Sequence, residues 1–422
     1  RAMLTERLGD LGTADDVLRT VAAGTRLHGR PPPAALIGDW FGSTAVIAPS
    51  VAVTPVDAGD VFPDSPGEEP STAPSADFVG GGWIGYLSYP DPGADGGPSR
   101  IPAAAGGRTD TVLRRDRTGC WFFESLSGEG LPEWLSTALK VPPIHDHCAI
   151  AWTRPDADEH RTGVLSCLAA IGAGEVYQAC VCTQFTGTVT GSPLDFFADA
   201  AARTSPARGA YLAGDWGAIA SLSPELFLRR TGGRVSSSPI KGTLPRHAEP
   251  EQLLASAKDV AENIMIVDLV RNDLGRVAVT GTVTVPELLA VYPAPGVWHL
   301  VSTVSAQVPA DLPASALLAA TFPPASVTGT PKTRARQLLA QWERHRRGVY
   351  CGTIGLASPV AGCELNVAIR TVEFDAFSGA IFGVGGGITA DSNPDAEWQE
   401  CLHKAAPIID DVQYSRARKT AS

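Results

Sequence analysis

Lys241 and Glu225 are the first residues whose types and separation suggest chemistry. Glu225 lies sixteen positions before Lys241, and a pair of glycines stands between them. An amine is a nucleophile once it loses its proton, and a carboxylic acid can donate a proton to a leaving group. If folding brings the two side chains together, they predict a covalent reaction assisted by acid catalysis. The alternative interpretation is a surface ion pair, which contributes little.

The segment between these two residues predicts how they meet. Gly232-Gly233 separates two strand-like segments and is typical of a two-residue hairpin turn. Such a turn pairs Thr231 with Arg234, and counting outward sets Glu225 opposite Ile240. The lysine is then one register step away, and a single β-bulge would bring both side chains to one face.

Two pairs of acidic residues predict a metal site. Asp259 and Glu262 are three residues apart in one predicted helix, and Glu397 and Glu400 have the same spacing in another. Residues three apart share a helix face. Two such faces can jointly hold a hard cation that keeps some of its waters, which suits Mg²⁺. Each pair alone is also typical of a solvated helix face.

Three further features predict a pocket for an anion. Gly385-Gly386-Gly387 precedes the second acidic helix and lets backbone N–H groups approach a ligand. Arg370 ends an apolar run, and with Tyr350 it is a candidate clamp for a substrate carboxylate. His299 stands among apolar residues, so a satisfied core histidine is its alternative interpretation.

Composition bounds the class of protein. Of 422 residues, 44% are hydrophobic and 19% are charged, which is typical of a globular protein. The formal charge is −11 and no basic run occurs, which argues against a nucleic-acid partner. No apolar run approaches the ~20 residues of a membrane span, and no signal-peptide pattern is present. Eight scattered cysteines are typical of reduced packing thiols, so we expect a cytoplasmic enzyme.

Residues 1–148 and 149–422 are expected to form an N-terminal portion and a catalytic portion. Pro, Gly, Asp, Ala and Ser dominate 55–75 and 90–109, which predicts two loops. From residue 149 onward, single predicted helices alternate with adjacent pairs of predicted strands. Strands in sequential pairs favour antiparallel sheets with helices outside, and therefore an α+β fold.

Periodicity predicts the individual elements. An apolar strand around Trp83 is expected to pair with a second strand near Cys120–Ser125. The acidic pairs lie in the fourth and the last of the predicted helices. Helices are predicted at Ala14–Gly24, Asp156–Gly172, Asp195–Thr204, Glu249–Leu274, Ala314–Thr321, Pro331–Arg346 and Asp395–Tyr414.

Taken together, these motifs resemble one known family, the chorismate-utilising enzymes. The resemblance covers roughly residues 150–410, and Gly81–Tyr86 in the N-terminal portion also fits. It implies two orthogonally packed antiparallel sheets with helices outside, and an N-terminal portion like that of anthranilate synthase component I. The motifs that carry it are Ser223-Pro224-Glu225, Pro239-Ile240-Lys241-Gly242-Thr243, Ala261–Gly275, His299-Leu300-Val301-Ser302, Ser326–Lys332 and Gly383–Ile388.

The resemblance implies a Mg²⁺ cofactor held by the two acidic pairs. Glu262 and Glu400 would bind the ion directly, and Asp259 and Glu397 would act through water. The ion would hold the ring carboxylate of chorismate. Asp259 departs from the glutamate that is usual at its position.

A chorismate pocket is implied as well. Tyr350, Arg370 and the amides of Gly385 and Gly387 would bind the enolpyruvyl carboxylate, and His299 would lie beside the ring near the C4 hydroxyl. The residues implied to bind substrate are Thr243, Ser326, Tyr350, Arg370, Gly385, Gly387 and Lys404.

Lys241 is the discriminating position within this family. Anthranilate synthases and isochorismate-type enzymes usually carry alanine there, whereas lysine is typical of members that aminate chorismate at C4. Water-adding members place a lysine base in the segment that aligns with Gly174–Cys180, where this chain offers Gln178 instead. The resemblance therefore implies a lysine adduct at C2, proton donation by Glu225, and 4-amino-4-deoxychorismate as a product for 4-aminobenzoate and folate synthesis. Ammonia would come from a separate glutamine amidotransferase subunit.

One requirement and two alternatives remain. A lysine at its ordinary pKa of ~10.4 is protonated at neutral pH, so we expect burial or nearby positive charge to lower the pKa of Lys241. The alternatives are an anthranilate synthase component I, which would release pyruvate, and a non-catalytic protein that binds chorismate or an amino acid. Leu36–Trp40 and Thr204–Gly209 depart from the family's tryptophan-binding segments, which argues against a tryptophan site.

Overall fold

The computed structural model describes residues 2–64, 72–90 and 99–409. The strands in these ranges are β1 (Leu4–Gly9), β2 (Ala34–Trp40), β3 (Ser43–Ala48), β4 (Thr54–Pro55), β5 (Gly82–Leu87), β6 (Ala104–Thr109), β7 (Thr111–Arg115), β8 (Trp121–Ser125), β9 (Ala149–Thr153), β10 (Gln178–Thr190), β11 (Arg208–Gly214), β12 (Gly217–Ser223), β13 (Leu226–Thr231), β14 (Arg234–Ser237), β15 (Ile240–Pro245), β16 (Thr284–Ala294), β17 (Val297–Gln307), β18 (Gly329–Thr330), β19 (Thr353–Ser358), β20 (Gly362–Asn366), β21 (Thr371–Asp375) and β22 (Gly379–Ile388). The α-helices are α1 (Ala14–Leu27), α2 (Glu133–Ala138), α3 (Ala157–Gly172), α4 (Pro193–Thr204), α5 (Glu251–Ala255), α6 (Ala257–Gly275), α7 (Ala314–Thr321), α8 (Lys332–Trp342) and α9 (Pro394–Ile409).

The described strands form two antiparallel sheets. The first has the order β1-β8-β7-β3-β2-β11-β12-β21-β22-β10-β18, with β9 also paired to β10. The second has the order β15-β17-β14-β13-β20-β19-β5-β6-β4, with β16 also paired to β17. Helices pack against both sheets, since α4 contacts β12, α9 contacts β22 and α6 contacts β17. The predicted α+β class with antiparallel sheets is confirmed.

Side chains of the central strands of the first sheet point alternately to its two faces, and each face packs into a separate hydrophobic core. In β11 and β12, Tyr211 and Ala220 pack with apolar residues of α1 and α4. Their neighbours Leu212 and Ile219 point the other way and pack with Tyr86 of the second sheet. Side chains alternate between faces along a strand, so each face buries its own apolar set. The first sheet therefore lies between a helical layer and the second sheet.

The predicted pairing of the Trp83 strand is wrong. β5 pairs with β6 and β19 in the second sheet, whereas β8 (Trp121–Ser125) pairs with β1 and β7 in the first. All residues of β5 are buried, so this strand needs a partner on each edge and cover on each face. One of those partners, β6, lies within 90–109, which was predicted to be a loop. The other predicted loop, 55–75, lies partly outside the described ranges.

Both sheets combine strands from before and after residue 148. β2 pairs with β11 in the first sheet, and β5 pairs with β19 in the second. The division of the chain at 148/149 stays a prediction, but the two portions share their hydrogen-bonded sheets. None of the helices in the described ranges is long and apolar enough to cross a membrane.

Local chemistry sets the helix boundaries that matter for the site. The helix predicted over Glu249–Leu274 is interrupted at Ser256, whose side chain accepts a hydrogen bond from the Asp259 N–H at 3.2 Å and so begins α6. The predicted helix from Pro331 ends at Trp342, before a run of charged residues. The last helix continues to Ile409, and residues 410–414 of that prediction lie outside the described ranges.

Candidate active site

A cavity of about 520 Å³ is lined by residues of β10, β15, β17, β22, α6 and α9. Apart from Glu397, every predicted site residue lies in its wall. Glu397 is 3% exposed and lies just behind that wall, beside Gly386. The predicted residues that line the cavity are Glu225, Lys241, Thr243, Asp259, Glu262, His299, Ser326, Tyr350, Arg370, Gly385, Gly387, Glu400 and Lys404.

A β-bulge places Lys241 in this cavity. The register between β15 and β17 shifts between Ile240 and Thr243, and Gly242 inside the shift has φ +107°. That backbone conformation suits glycine, because it has no Cβ. The bulge takes the Lys241 carbonyl out of the strand ladder, and the Asn263 side-chain amide donates to it at 3.2 Å. The nucleophile candidate is thereby tied to helix α6.

The hairpin that was predicted to join Glu225 and Lys241 is confirmed at its turn and differs at its far end. Thr231 pairs with Arg234, but Ile240 pairs with Val301 of β17 rather than with Glu225. β14 and β15 both run along β17, so the ladder with β13 ends early. The Ile240 N–H nevertheless lies close enough to Glu225 to lower the pKa of that carboxyl. Glu225 and Lys241 line the same cavity.

Glu225 is poised to hold a proton. Its side chain is buried, and burial raises its pKa to about 7. The Ser326 hydroxyl donates to this carboxyl, and that hydrogen bond together with the charge of Lys241 opposes the rise. A carboxyl group that titrates near neutral pH can act as a general acid there.

The expectation of a lowered pKa for Lys241 is wrong. Burial lowers this pKa, but Cys180 and the carboxylates of Glu262 and Glu225 raise it by more, so it lies above the ordinary value. Lys241 Nζ donates to the Cys180 sulfur at 3.6 Å. Burial also raises the pKa of Cys180, so that thiol is uncharged at neutral pH. The negative charges that favour the ammonium form are then Glu262 and, when it is ionised, Glu225.

His299 is neutral at physiological pH. Burial and the nearby Arg370 lower its pKa to about 4. Its Nδ1 atom lies 3.0 Å from the Thr243 hydroxyl across the β15–β17 pair. A neutral imidazole in this position can orient a substrate hydroxyl by hydrogen bonding, and it carries no proton to release as an acid.

Arg370 and Tyr350 both line the cavity. Arg370 has φ +51°, an uncommon conformation for a residue with a side chain, and the surrounding strands hold it there. Among the described residues its guanidinium forms no ion pair, and the nearest charge effects come from Tyr350 and Glu225. A Cβ at Gly383 would lie 2.2 Å from the Tyr350 ring, so the ring packs directly against this glycine. This half-buried cation lines the cavity and is suited to a substrate carboxylate.

The acidic residues converge with two lysines. Lys258 Nζ lies 2.9 Å from Glu397 Oε1 and 3.7 Å from Glu262 Oε1. Lys404 Nζ lies 3.1 Å from Glu400 Oε1 and donates to the Gly385 carbonyl at 2.9 Å. In the described ranges, no three acidic, histidine or cysteine side chains are arranged as a ready metal cluster. The structure therefore holds these carboxylates with ammonium groups.

Two observations nevertheless fit a divalent cation. Glu262 Oε1 and Glu397 Oε2 are buried and form no hydrogen bond. A Cβ at Gly386 would lie 3.3 Å from Glu397 Oε2 and 3.8 Å from Glu400 Oε2, so both acids face this glycine. Buried carboxylate oxygens without partners are costly unless a cation or water occupies the space beside them.

Several residues of the site were missed from the sequence. Lys258 stands four positions before Glu262, and that helical spacing was an available signal. Asn263 is buried and binds two carbonyls, of Lys241 and Leu300, which no sequence pattern indicates. The cysteines expected to be packing residues include Cys180 and Cys182, which line the cavity.

Gln178 is buried beside Gly387 and forms no side-chain hydrogen bond. A Cβ at Gly387 would lie 3.4 Å from its Oε1 and 3.2 Å from Lys241 Nζ. The two side chains therefore both lie next to Gly387.

Comparison with known proteins agrees with this geometry. Residues 143–410 match the family model described as chorismate binding enzyme. Aminodeoxychorismate synthase component 1 of Escherichia coli (strain K12) is 44% identical over 249 residues, which cover 57% of this chain and 54% of that protein. Aminodeoxychorismate synthase of Streptomyces pristinaespiralis is 35% identical over 376 residues, covering 81% of this chain and 52% of that one. The chain spans about half the length of these curated relatives.

The fold is shared with solved structures. The crystal structure of anthranilate synthase component I from Streptococcus pneumoniae TIGR4 matches with a TM-score of 0.70 and 25% identity, covering 90% of each chain. The match spans both sheets, which agrees with the antiparallel arrangement found here.

Proposed function

The chain belongs to the chorismate-binding enzyme family, and we propose that within it this protein aminates chorismate at C4 to give 4-amino-4-deoxychorismate. The observation that carries the proposal is Lys241, whose Nζ lies in the same cavity as the proton-holding Glu225. Lysine at this position is typical of the aminating branch of the family. The names of the relatives from E. coli and S. pristinaespiralis support the same activity.

The proposed reaction has two displacements. Lys241 Nζ bonds to C2 while the ring double bonds shift and the C4–O bond breaks, and the oxygen leaves as water with a proton from Glu225. Ammonia then bonds to C4, the double bonds shift back, and the C2–Nζ bond breaks. Ammonia has replaced a hydroxyl, water is released, and the enolpyruvyl group stays. Each displacement needs a positioned amine and a proton donor, as this pair provides.

Proton distribution within the pair decides whether it is active. Attack requires a neutral Lys241 and a protonated Glu225, whereas the raised pKa of Lys241 favours its ammonium form in the free protein. Because the pKa of Glu225 is raised to about 7, moving a proton from the amine to this carboxyl costs less than it would for an ordinary glutamate.

Other side chains would orient the substrate. Arg370 and the Tyr350 hydroxyl would bind the enolpyruvyl carboxylate together with the amides of Gly385 and Gly387, and neutral His299 would receive the C4 hydroxyl. Glu262 and Glu400 would hold Mg²⁺ directly, with Asp259 and Glu397 next to them. When bound, the ion would neutralise the ring carboxylate and the charge of Glu262, one of the charges that raise the pKa of Lys241.

Ammonia requires a source. We propose a separate glutamine amidotransferase subunit, since the relative from E. coli is named as component 1 of an aminodeoxychorismate synthase. The product would then serve 4-aminobenzoate and folate synthesis.

Product analysis tests the activity. The protein is incubated with chorismate, ammonium and Mg²⁺, and the products are separated by mass spectrometry and assayed for pyruvate. We expect 4-amino-4-deoxychorismate without pyruvate, and a loss of about 10³-fold or more in Lys241→Ala, which still binds chorismate. Lys241→Arg is the matched control for charge and should be equally inactive. Undiminished amination by Lys241→Ala would falsify the nucleophile role.

Anthranilate synthesis is the second candidate, favoured by the structural match to the S. pneumoniae enzyme. The same assay separates the two, because anthranilate formation releases one pyruvate for each chorismate consumed. Stoichiometric pyruvate with an aromatic product would replace the proposed function by this one.

A further inference from the structure

Lys258 occupies an unfavourable place in its own helix. It is the second residue of α6, directly after Ala257 and the capping Ser256. The amino end of a helix carries partial positive charge, so a lysine in the first turn opposes the helix dipole. A local conflict of this kind indicates that another interaction compensates for it.

The compensating interaction is with the acidic residues of the site. Lys258 Nζ lies 2.9 Å from Glu397 Oε1 on α9 and 3.7 Å from Glu262 Oε1 on its own helix. Both carboxylates are almost fully buried, whereas 38% of the lysine side chain is exposed. One oxygen of each, Glu262 Oε1 and Glu397 Oε2, still forms no hydrogen bond. The ammonium thus neutralises acids whose hydrogen-bonding capacity it does not fill.

Exposure makes this ammonium removable. Lys258 has solvent on one side, and a long flexible side chain can move into water at small cost. The carboxylates are fixed by their burial in α6 and α9 and have no such alternative. Lys404 differs, because it also donates to the Gly385 carbonyl and so is held by the backbone as well as by Glu400.

We propose that Lys258 is a tethered counter-ion that holds the acidic pairs together in the metal-free protein and is displaced when Mg²⁺ binds. It would set the affinity for the ion, because binding has to overcome the existing Lys258–Glu397 and Lys258–Glu262 attraction. It would also keep α6 and α9 in register before the ion arrives. The inference rests on the proposed Mg²⁺ site and extends it.

The test measures metal binding rather than catalysis. Lys258→Met removes the charge and keeps the length of the side chain, and Lys258→Arg keeps the charge. Arg271→Met removes a charge from the same helix, where Arg271 forms an exposed ion pair with Asp268 at 3.5 Å. Mg²⁺ alone is titrated into each metal-free protein by calorimetry, and thermal unfolding is followed with and without the ion.

We expect Lys258→Met to bind Mg²⁺ about fivefold or more tightly than wild type, while its metal-free form unfolds at a lower temperature. Its Mg²⁺-induced rise in unfolding temperature should therefore be the largest of the set. Lys258→Arg should bind Mg²⁺ as wild type does or more weakly, and Arg271→Met should match wild type.

Two results would contradict the role of Lys258, and one of them would also contradict the proposed Mg²⁺ site. If wild type binds Mg²⁺ and Lys258→Met binds it equally or more weakly, the counter-ion role is wrong and the proposed site stands. If wild type shows neither heat nor stabilisation with Mg²⁺, both the cofactor assignment and this role fail. Should Lys258→Met not fold, Lys258→Arg decides, and tighter binding than wild type contradicts the proposal.

Discussion

The cavity contains two lysine–glutamate couples that are built differently. Lys404 and Glu400 form a direct ion pair at 3.1 Å, and although burial opposes it, the two lysines nearby lower the pKa of Glu400 overall. Lys241 and Glu225 form no direct ion pair in the described part of the chain, and burial raises the pKa of Glu225 to about 7. A direct pair fixes both charges, whereas a separated couple leaves a proton free to change owner. Environment thus assigns one carboxyl to hold charge and the other to hold a proton.

Removing the proton from the separated couple should have the largest effect. We expect Glu225→Gln to lower kcat for amination by about 10³-fold, because the amide keeps the shape of the side chain and cannot donate an acidic proton. Single-turnover rates with chorismate and ammonium measure this. Glu159→Gln, on the exposed pair with Arg344, is the control and should be fully active. Activity near wild type in Glu225→Gln would move the acid role to another residue.

Breaking the direct pair should act on metal binding instead. In Glu400→Gln we expect Mg²⁺ affinity to fall by about tenfold or more, since a proposed anionic ligand becomes neutral. Calorimetry of Mg²⁺ binding checks this, with Glu159→Gln again as the matched substitution. Equal Mg²⁺ affinity in both variants would remove Glu400 from the ligand set.

The pH dependence should separate the two couples without any substitution. The active couple carries one proton, held by Glu225, and below pH 7 Lys241 and Glu225 are both protonated, so kcat should rise by about tenfold per unit up to the Glu225 pKa of about 7 and level off above it. Glu400 has a lowered pKa and stays ionised throughout that range. A rate profile from pH 5 to 9 measures the effect, and the change of slope near pH 7 should be absent in Glu225→Gln. A change of slope that persists there would belong to a different group.

The smallest effect is expected at Asn263, which holds the Lys241 backbone against helix α6. Asn263→Asp keeps the side-chain size but cannot donate to the carbonyls of Lys241 and Leu300. We expect kcat to fall by about tenfold with KM for chorismate nearly unchanged, because Lys241 is displaced and the substrate clamp is not. Ser302→Ala, which removes the hydroxyl that donates to Asn263, tests the same network without touching the lysine contact. A rise in KM with unchanged kcat would contradict a positioning role.

Local sequence patterns predicted well wherever the interaction is local. The Gly232-Gly233 turn pairs Thr231 with Arg234 as expected, because two glycines specify a two-residue hairpin by their own conformational freedom. The helical spacing of Glu262 with Asp259, and of Glu400 with Glu397, placed the acids on two helices that do face one site. These predictions needed no knowledge of what lies across the cavity.

Predictions that depended on distant partners were weaker. The strand β5 was assigned the wrong neighbour, because its choice of β6 and β19 follows from burial on both faces rather than from sequence order. The register count from the turn set Glu225 opposite Ile240, but Ile240 is paired with Val301, and β17 decides that register. The spacing of Lys258 to Glu262 was visible in the sequence, but its shorter contact, with Glu397, lies on another helix and was not.

Turns, helical spacing and ordered motifs are properties of short segments, so they were enough to indicate the family, the α+β class and the residue types that meet in the cavity. The electrostatics of the site depend on the folded chain. It buried Glu225 enough to raise its pKa, placed two carboxylates near Lys241 so that its pKa rises instead of falling, and set Lys258 between two acids. Charges act through space, and burial depends on what every other segment covers, so neither can be read from spacing along the chain.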